Sequence, residues 1–420
     1  MCPRLTIALF AVFIVAGCGD NNPVQPSQAE SAADESASRS TAGIPAAVGR
    51  PERNTLTDGT RVGGNTAADL QDPTARLLTE IQQLRIRAST GSVTDSNRTI
   101  ANKATEILRL TMRDASRQEE FLDGIRHLLQ ARLELALTGS ATDVDQLYAD
   151  VQALNDRDPE ALAAAEGIYY LAKFAHTQAR KSQQQKTEWN VSFSKWAREF
   201  GSRFSQQTER ALSLLFGAGR SCEMTAATTE SSEESKLLWQ EARLCYVQLI
   251  ENWPRETQGQ EAAAVLRRLD LPGQQLSQFS GPDLNGGKVS AEQFSGRVTL
   301  IYFWDSASRD FSDHWLPLLQ KADAKLSPNS IRLVGVNLDD EIDECRNAVR
   351  ELKIPGDQIC FEDDQQRGWD SPLVQFWGVS QSPSVWLVGH DGIVDAVDVR
   401  RPDLVTRINS LLKARTASRN

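Results

Sequence analysis

Thiols are the side chains here best able to do covalent chemistry, because a thiolate is at once a nucleophile, a redox group and a metal ligand. The sequence has six: Cys2, Cys18, Cys222, Cys245, Cys345 and Cys360. Dithiol chemistry favours a CxxC pair and zinc an alternating Cys/His spacing, and no two of these cysteines make either pattern. The histidines His127, His176, His314 and His390 are scattered without a spacing such as HxxxH. No metal site and no cofactor is expected.

These groups sit in a chain of 420 residues with a formal charge of −10 and 40% hydrophobic residues. That balance excludes a collagen, a polybasic nucleic-acid binder and a polytopic membrane protein. At about 100–200 residues per domain, two or three domains are expected. No aromatic residue lies between Phe13 and Phe121, so the first quarter of the chain differs from the rest.

Arg4 precedes an uncharged run, Leu5 to Val15, too short for a hydrocarbon core of about 30 Å but suited to a secretory signal. The run ends in Val15-Ala16-Gly17-Cys18, which resembles the lipobox of bacterial lipoproteins. That resemblance implies a signal peptide over 1–17, lipid on the sulfur of Cys18 as first mature residue, and a protein lipid-anchored in the bacterial cell envelope, on its periplasmic side. An ordinary small-residue cleavage site is the alternative. Gly19, not Asp, follows the cysteine, so the choice between inner and outer membrane stays open. Residues 18–72 lack aromatics and almost all large aliphatics. Such a segment cannot bury enough apolar surface to offset ordering entropy and is expected to be a disordered tether.

From 73 to 270 the apolar period is helical: Leu77, Leu78, Ile81 and Leu84 share a face, as do Phe121, Ile125, Leu128 and Leu129. Asp158-Pro159-Glu160 is expected to start a helix running to about Phe174, with Asp158 as N-cap. Further helices are expected over about 188–217 and 233–252. Ala242, Tyr246, Pro254 and Ala262 resemble the junction of two tetratricopeptide units. The resemblance covers about one repeat, and an unrelated helical bundle is the alternative. Arrays of that kind bind peptides.

Beyond 271 the pattern becomes β/α. Val298 to Trp304 and Ile331 to Asn337 are apolar runs of the kind expected in parallel strands buried on both faces. Each is followed by a helical segment. Ser384 to Gly389 and Ile393 to Val399 flank the turn His390-Asp391-Gly392 as a hairpin, and Pro402 is expected to open a last helix through Leu412. The predicted architecture is α + α/β: a tether, a helical middle region, and a thioredoxin-like α/β sandwich over 271–420.

Several motifs of this last region resemble the TlpA/redoxin branch of thioredoxin-like envelope proteins: Phe279 to Lys288, Phe294 to Trp304, Val334 to Asp339 and Trp377 to Val388. The resemblance implies thiol-disulfide exchange by a CxxC placed where the first strand meets a helix. There the helix N-terminus lowers a thiol pKa from ~8.5 towards ~7. Ser308-Arg309-Asp310-Phe311 stands at those positions, so Ser308 and Phe311 replace both cysteines. A serine without an adjacent base is too weak an acid to attack. Arg309 and Asp310 are expected to be exposed at the helix start. Pro383 corresponds to the family's cis-proline, either shaping the turn or keeping a peptide-docking edge, with Trp304, Trp369, Trp377 and Trp386 near or under that face.

Cys345 and Cys360 are placed by the pattern in a helix and the following strand, where a disulfide is conceivable. The four cysteines of the folded region allow three pairings, and buried unpaired thiols remain an alternative. The leading expectation is an envelope lipoprotein whose thioredoxin-like domain has lost disulfide exchange and serves as a scaffold or a binding module for an envelope protein or peptide. The rival is a thiol-disulfide oxidoreductase acting through Cys345 or Cys360. A third possibility puts the function in the helical region alone.

Overall fold

A computed structural model describes residues 72–87, 92–182, 184–325 and 330–417. The expected signal peptide, Cys18 and nearly all of the tether lie outside the described residues. The helical region holds α1 (Pro73–Arg87), α2 (Val93–Thr111), α3 (Gln118–Thr138), α4 (Ala141–Arg157), α5 (Leu162–Lys181), α6 (Lys186–Arg203), α7 (Thr208–Thr228), α8 (Ser232–Asn252) and α9 (Thr257–Leu269). Short connections return each helix against its predecessor, and the apolar faces close into a chain of cores. Ile81, Ile100 and Ile107 form the first, Ile125, Leu129 and Phe174 the next, Phe200, Leu215 and Tyr246 the last. Among the described residues no helix is long and apolar enough to cross a membrane.

Two expected helices differ in the structure. The helix drawn over 188–217 is broken into α6 and α7, because Phe204 leaves the helical conformation (φ −125°, ψ 43°) and its ring turns in against Phe200, centroids 5.6 Å apart. Asp158 does not start a helix. It ends α4, and its Oδ1 accepts from Glu160 N at 3.2 Å, which makes a turn; α5 starts at Leu162 and continues past Phe174 to Lys181. Tyr246, singled out by its spacing from Ala242, is fully buried over α7. A Cβ on Gly219 would lie 2.7 Å from its ring, so a glycine is what lets these helices approach.

The C-terminal region opens with a small antiparallel pair, β1 (Ser280–Pro282) and β2 (Lys288–Ser290), that sequence patterning did not reveal. A five-stranded sheet follows, built from β3 (Val298–Trp304), β4 (Ile331–Asn337), β5 (Asp357–Ile359), β6 (Ser384–Val388) and β7 (Val394–Ala396) in the order β5-β4-β3-β6-β7. β3, β4 and β5 are parallel; β6 and β7 run antiparallel. One face of the sheet packs on α10 (Leu316–Lys325), α11 (Ile342–Leu352) and α13 (Leu404–Ala417), the other on α12 (Pro372–Trp377) and the β1–β2 pair. Pro402 sits in a 3-10 turn, Arg401–Asp403, ahead of α13 rather than at its first residue. Every residue of β3 is buried, as an apolar run between two layers requires.

Candidate functional site

The loop from β3 to the next helix, Asp305–Ser308, is held by the end of β4. Asp339 Oδ1 accepts from Ser306 N at 2.8 Å and from Ser306 Oγ at 3.0 Å, while Asn337 Nδ2 donates to Asp339 Oδ2 at 2.7 Å. This network fixes where the helix begins. Ser308 Oγ accepts from Phe311 N at 3.2 Å, the bond of a helix cap. Among the described residues no imidazole, carboxylate or amine is hydrogen-bonded to Ser308 Oγ, so nothing is placed to take its proton.

Phe311 is 1% exposed and stacks on Trp304 (centroids 5.3 Å, interplanar 21°) and on Tyr302 (6.0 Å, 16°). Gln358 ties that layer down, accepting from Trp304 Nε1 at 3.1 Å and donating to the Tyr302 hydroxyl at 2.8 Å. Phe311, which the resemblance aligned with the second cysteine, is therefore a core residue. Arg309 and Asp310 are exposed; Asp310 accepts from Trp315 Nε1 at 3.2 Å and pairs with Arg401 at 3.5 Å.

The Ser382–Pro383 bond is cis. The loop leading into it is occupied by the chain's own helices. Arg220 of α7 donates to Ser380 O at 2.9 Å, Arg268 of α9 donates to Gly378 O at 2.6 Å, and Ser380 Oγ donates to Glu223. Gly378, at φ +57°, ends α12, and a Cβ there would lie 2.4 Å from Val265 N of α9. Arg400 Nη1 reaches back to Thr229 O at 3.2 Å and Glu230 O at 2.9 Å. The segment Gly378–Ser380, ahead of the cis bond, is thus held by the chain's own helices, while Ser382 and Pro383 themselves stay half-buried.

At the centre of this contact is a buried triad: Glu223, Arg268 and Asp398 have side chains no more than 1% exposed. Arg268 pairs with Glu223, and its Nε lies 3.1 Å from Asp398 Oδ2 with the N–H turned off the oxygen, so neither atom gains a proper hydrogen bond there. Tyr246 OH donates to Glu223 at 2.8 Å and Ser384 Oγ to Asp398 at 2.6 Å. Asp398 is held in the left-handed region (φ 46°), where Asp is better tolerated than most residues. Burial acts against every charge. The Glu223 carboxyl nonetheless stays below its ordinary range through Arg268, Ser380 and Tyr246, whereas Asp398 is pushed up because burial outweighs the help of Arg268. Sequence reasoning missed all three; charged residues on helices such as Glu223 and Arg268, or in a loop such as Asp398, look solvated until their partners are known.

All four thiols of the described region are unbridged and buried. Cys345 and Cys360 lie in one cluster on the α11 face of the sheet, and Cys360 Sγ is 3.9 Å from Asn337 Oδ1. Cys222 Sγ instead donates to Asn190 O at 3.6 Å, and Cys245 Sγ lies 3.3 Å from Ser194 Oγ. Among the described residues no group of three or more His, Cys, Asp or Glu is arranged to hold a metal ion. Trp304 lies in the core under the site, but Trp377 and Trp386 are in the opposite layer, edge to face at 6.0 Å, so the grouping expected from sequence is divided by the sheet. Trp369, 39% exposed, lines a polar cleft of about 410 Å³ between α7, α9 and α12.

A mixed sheet with three parallel strands, a terminal hairpin, flanking helices and a cis-proline facing the first strand–helix junction defines a thioredoxin-like redoxin domain. Residues 272–397 match the AhpC/TSA family. Among solved structures, the thioredoxin domain of a thiol-disulfide oxidoreductase from Bacteroides vulgatus is 22% identical, with 34% of this chain and 97% of that one covered at a TM-score of 0.30. A thiol-disulfide oxidoreductase from Bacteroides fragilis is also 22% identical, covering 33% of this chain and 99% of that one, TM-score 0.30. No curated protein matches the chain.

Proposed function

We propose that this is an exported, lipid-anchored envelope protein in which a redoxin domain without disulfide-exchange chemistry serves as a scaffold, clamped to a tetratricopeptide-like helical array. The observation that carries the reading is the exchange site itself. Ser308 spends its hydroxyl on capping a helix, and Phe311 fills the core between Trp304 and Tyr302. Neither side chain can form a mixed disulfide. The carbonyls of Gly378 and Ser380, in the loop that leads to the cis-proline, accept from Arg268 and Arg220. An envelope protein or peptide partner is accordingly assigned to the helical array. Full-length mature protein added to insulin and dithiothreitol is expected to leave insulin reduction at the uncatalysed rate; an acceleration abolished by alkylation would overturn the reading. Alkyne-tagged palmitate should label the protein in cells, and Cys18→Ser should remove the label.

The oxidoreductase alternative has one observation in its favour, the presence of Cys345 and Cys360 in one cluster of the redoxin domain. Against it stands their exposure, 0% and 2%, which leaves no sulfur for a protein disulfide to reach during turnover. Cys345→Ala and Cys360→Ala would each abolish insulin reduction on that alternative and change nothing on ours.

A further inference from the structure

The end of α5, the start of α6 and one face of α7 border a cavity of about 440 Å³. That volume falls within the range of small-molecule sites, about 300–1,000 Å³. Its charged lining is of one sign: Arg180 and Lys186 are exposed, Arg220 and His176 are half-buried, and among the described residues no carboxylate lines it. Arginines elsewhere on these helices are matched by acids, Arg198 by Glu241 at 2.8 Å and Arg210 by Glu166 at 2.9 Å. Among the described residues Arg180, Lys186 and Arg220 have no such ion pair; Arg220 makes one hydrogen bond, to Ser380 O, and keeps its other N–H groups. Glu223 is committed to Arg268, and Glu261 lines the neighbouring cleft beside Trp369.

A buried side chain adds a further donor. Thr225, 4% exposed, accepts from Asn190 Nδ2 at 3.0 Å, and among the described residues nothing accepts its own hydroxyl proton. Asn190 is held in turn by Ser221 Oγ, which donates to its Oδ1 at 2.5 Å. A buried hydroxyl proton without an acceptor is unfavourable, and an acceptor brought into the cavity relieves it. The His176 ring is fixed against Phe193, centroids 4.7 Å apart and 19° from parallel. The uncommitted hydrogen bonds of Arg180, Lys186, Arg220 and Thr225 are thus all donors, carried on rigid helices.

We propose that this cavity binds a phosphate monoester, with the phosphoryl group taken by Arg180, Lys186, Arg220 and the Thr225 hydroxyl and the organic part lying along Met224 and Ala179. Three unmatched cations call for more than one negative charge, and a phosphate ester brings about −1.5 to −2 at pH 7 with three acceptor oxygens. A lone carboxylate brings one charge and leaves cations unmatched. The cavity is larger than a phosphoryl group alone, which favours an ester over free phosphate. Two sources share this chemistry, a soluble organic phosphate and the headgroup of a membrane lipid. The inference is independent of the scaffold reading, which concerns turnover and the Ser308 position.

The test is calorimetric titration of the folded full-length protein at about 0.15 M ionic strength. Glycerol 3-phosphate and micelle-free dihexanoyl phosphatidic acid are the probes, with inorganic phosphate and citrate for comparison. At least one ester is expected to saturate a single site more tightly than inorganic phosphate or citrate, and the tighter ester identifies the source. Arg180→Glu/Lys186→Glu should remove that binding, and Thr225→Val should weaken it about tenfold by deleting a hydrogen bond to a charged group. Arg98→Glu/Lys236→Glu, the same change in charge at exposed positions outside the cavity, should leave it intact, with far-UV circular dichroism confirming the fold of each variant. No binding of either ester, ester binding no tighter than that of inorganic phosphate or citrate, or equal losses in the two double variants would each overturn the proposal; the first two outcomes need no variant.

Discussion

Replacing Arg268 by Met probes the joint between the helical region and the redoxin domain. The guanidinium is fully buried, paired with Glu223 of α7 on one side and 3.1 Å from Asp398 on the other. At that separation and an effective dielectric of ~20, one such pair is attracted by about 5 kcal/mol, much of which offsets desolvation. Deleting the cation leaves two buried carboxylates facing each other, and breaking a buried pair in this way costs about 3–5 kcal/mol. At roughly 2 °C per kcal/mol for a large unit, the melting temperature should fall by about 6–10 °C. Urea unfolding followed by far-UV circular dichroism measures the loss. The triple variant Glu223→Gln/Arg268→Met/Asp398→Asn should recover most of it, because no uncompensated charge remains. If R268M costs under about 1 kcal/mol, or if the triple variant is no better than the single one, the loss does not come from stranded charge and the account of this joint is wrong.

The two carboxylates of that joint should titrate with opposite sign. Glu223 has a lowered pKa, so its contribution is present above its ordinary value of 4.5 and lost as pH falls through its folded value; the deficit of E223Q should therefore shrink on acidification. Asp398 has a raised pKa, so its contribution is complete below its ordinary 3.8 and lost as pH rises through its folded value. D398N should thus gain relative to the unmutated protein as pH rises, and urea midpoints followed from pH 7 to below both ordinary carboxylate values would expose equal slopes as a failure. Gly378→Ala should destabilise by about 2 kcal/mol or more, from a positive φ and a Cβ forced onto α9, and should increase protease cleavage between α9 and β1; a neutral result would mean α9 is not packed there. Phe311→Cys should cost about 3 kcal/mol by removing the ring stacked on Trp304, whereas Ser308→Cys should cost little and give a thiol alkylated at neutral pH much faster than the buried Cys222. An F311C variant as stable as the unmutated chain would show that the ring does not support the core.

The parts of this protein visible in the sequence are those governed by local rules. The runs Val298–Trp304 and Ile331–Asn337 appear as buried parallel strands at the bounds their patterns suggest, because a strand covered on both faces has little choice of composition. Ser308 and Phe311 stand out in the sequence for a similar reason: the motif to which the resemblance assigns them is short and contiguous. What sequence hides is pairing across distance. Glu223 and Arg268 come from two helices and Asp398 from the bend after β7, and nothing local distinguishes a buried carboxylate from an exposed one. The break between α6 and α7 was hidden as well, since Phe204 fits a helical apolar face by period and departs from it only because the ring packs on Phe200.

The replacement proposed at Ser308 and Phe311 and the contacts made by the loop ahead of the cis-proline bear on each other. A disulfide exchanger must leave the backbone beside its cis-proline open to receive substrate, and any group fixed there competes with turnover. Here three buried or half-buried side chains, Glu223, Arg268 and Arg220, are committed to Gly378 and Ser380, an arrangement that stabilises the joint only if no substrate displaces it. On the scaffold reading proposed above, in which Ser308 and Phe311 stand in place of a dithiol, that competition costs no activity. The same reasoning gives a test in the reverse direction: restoring cysteines at both positions should yield a pair that can oxidise but reduces insulin slowly, and adding R268M, which loosens the joint, should make it faster. If S308C/F311C reduced insulin as well without R268M as with it, the helical region would not be what closes the site.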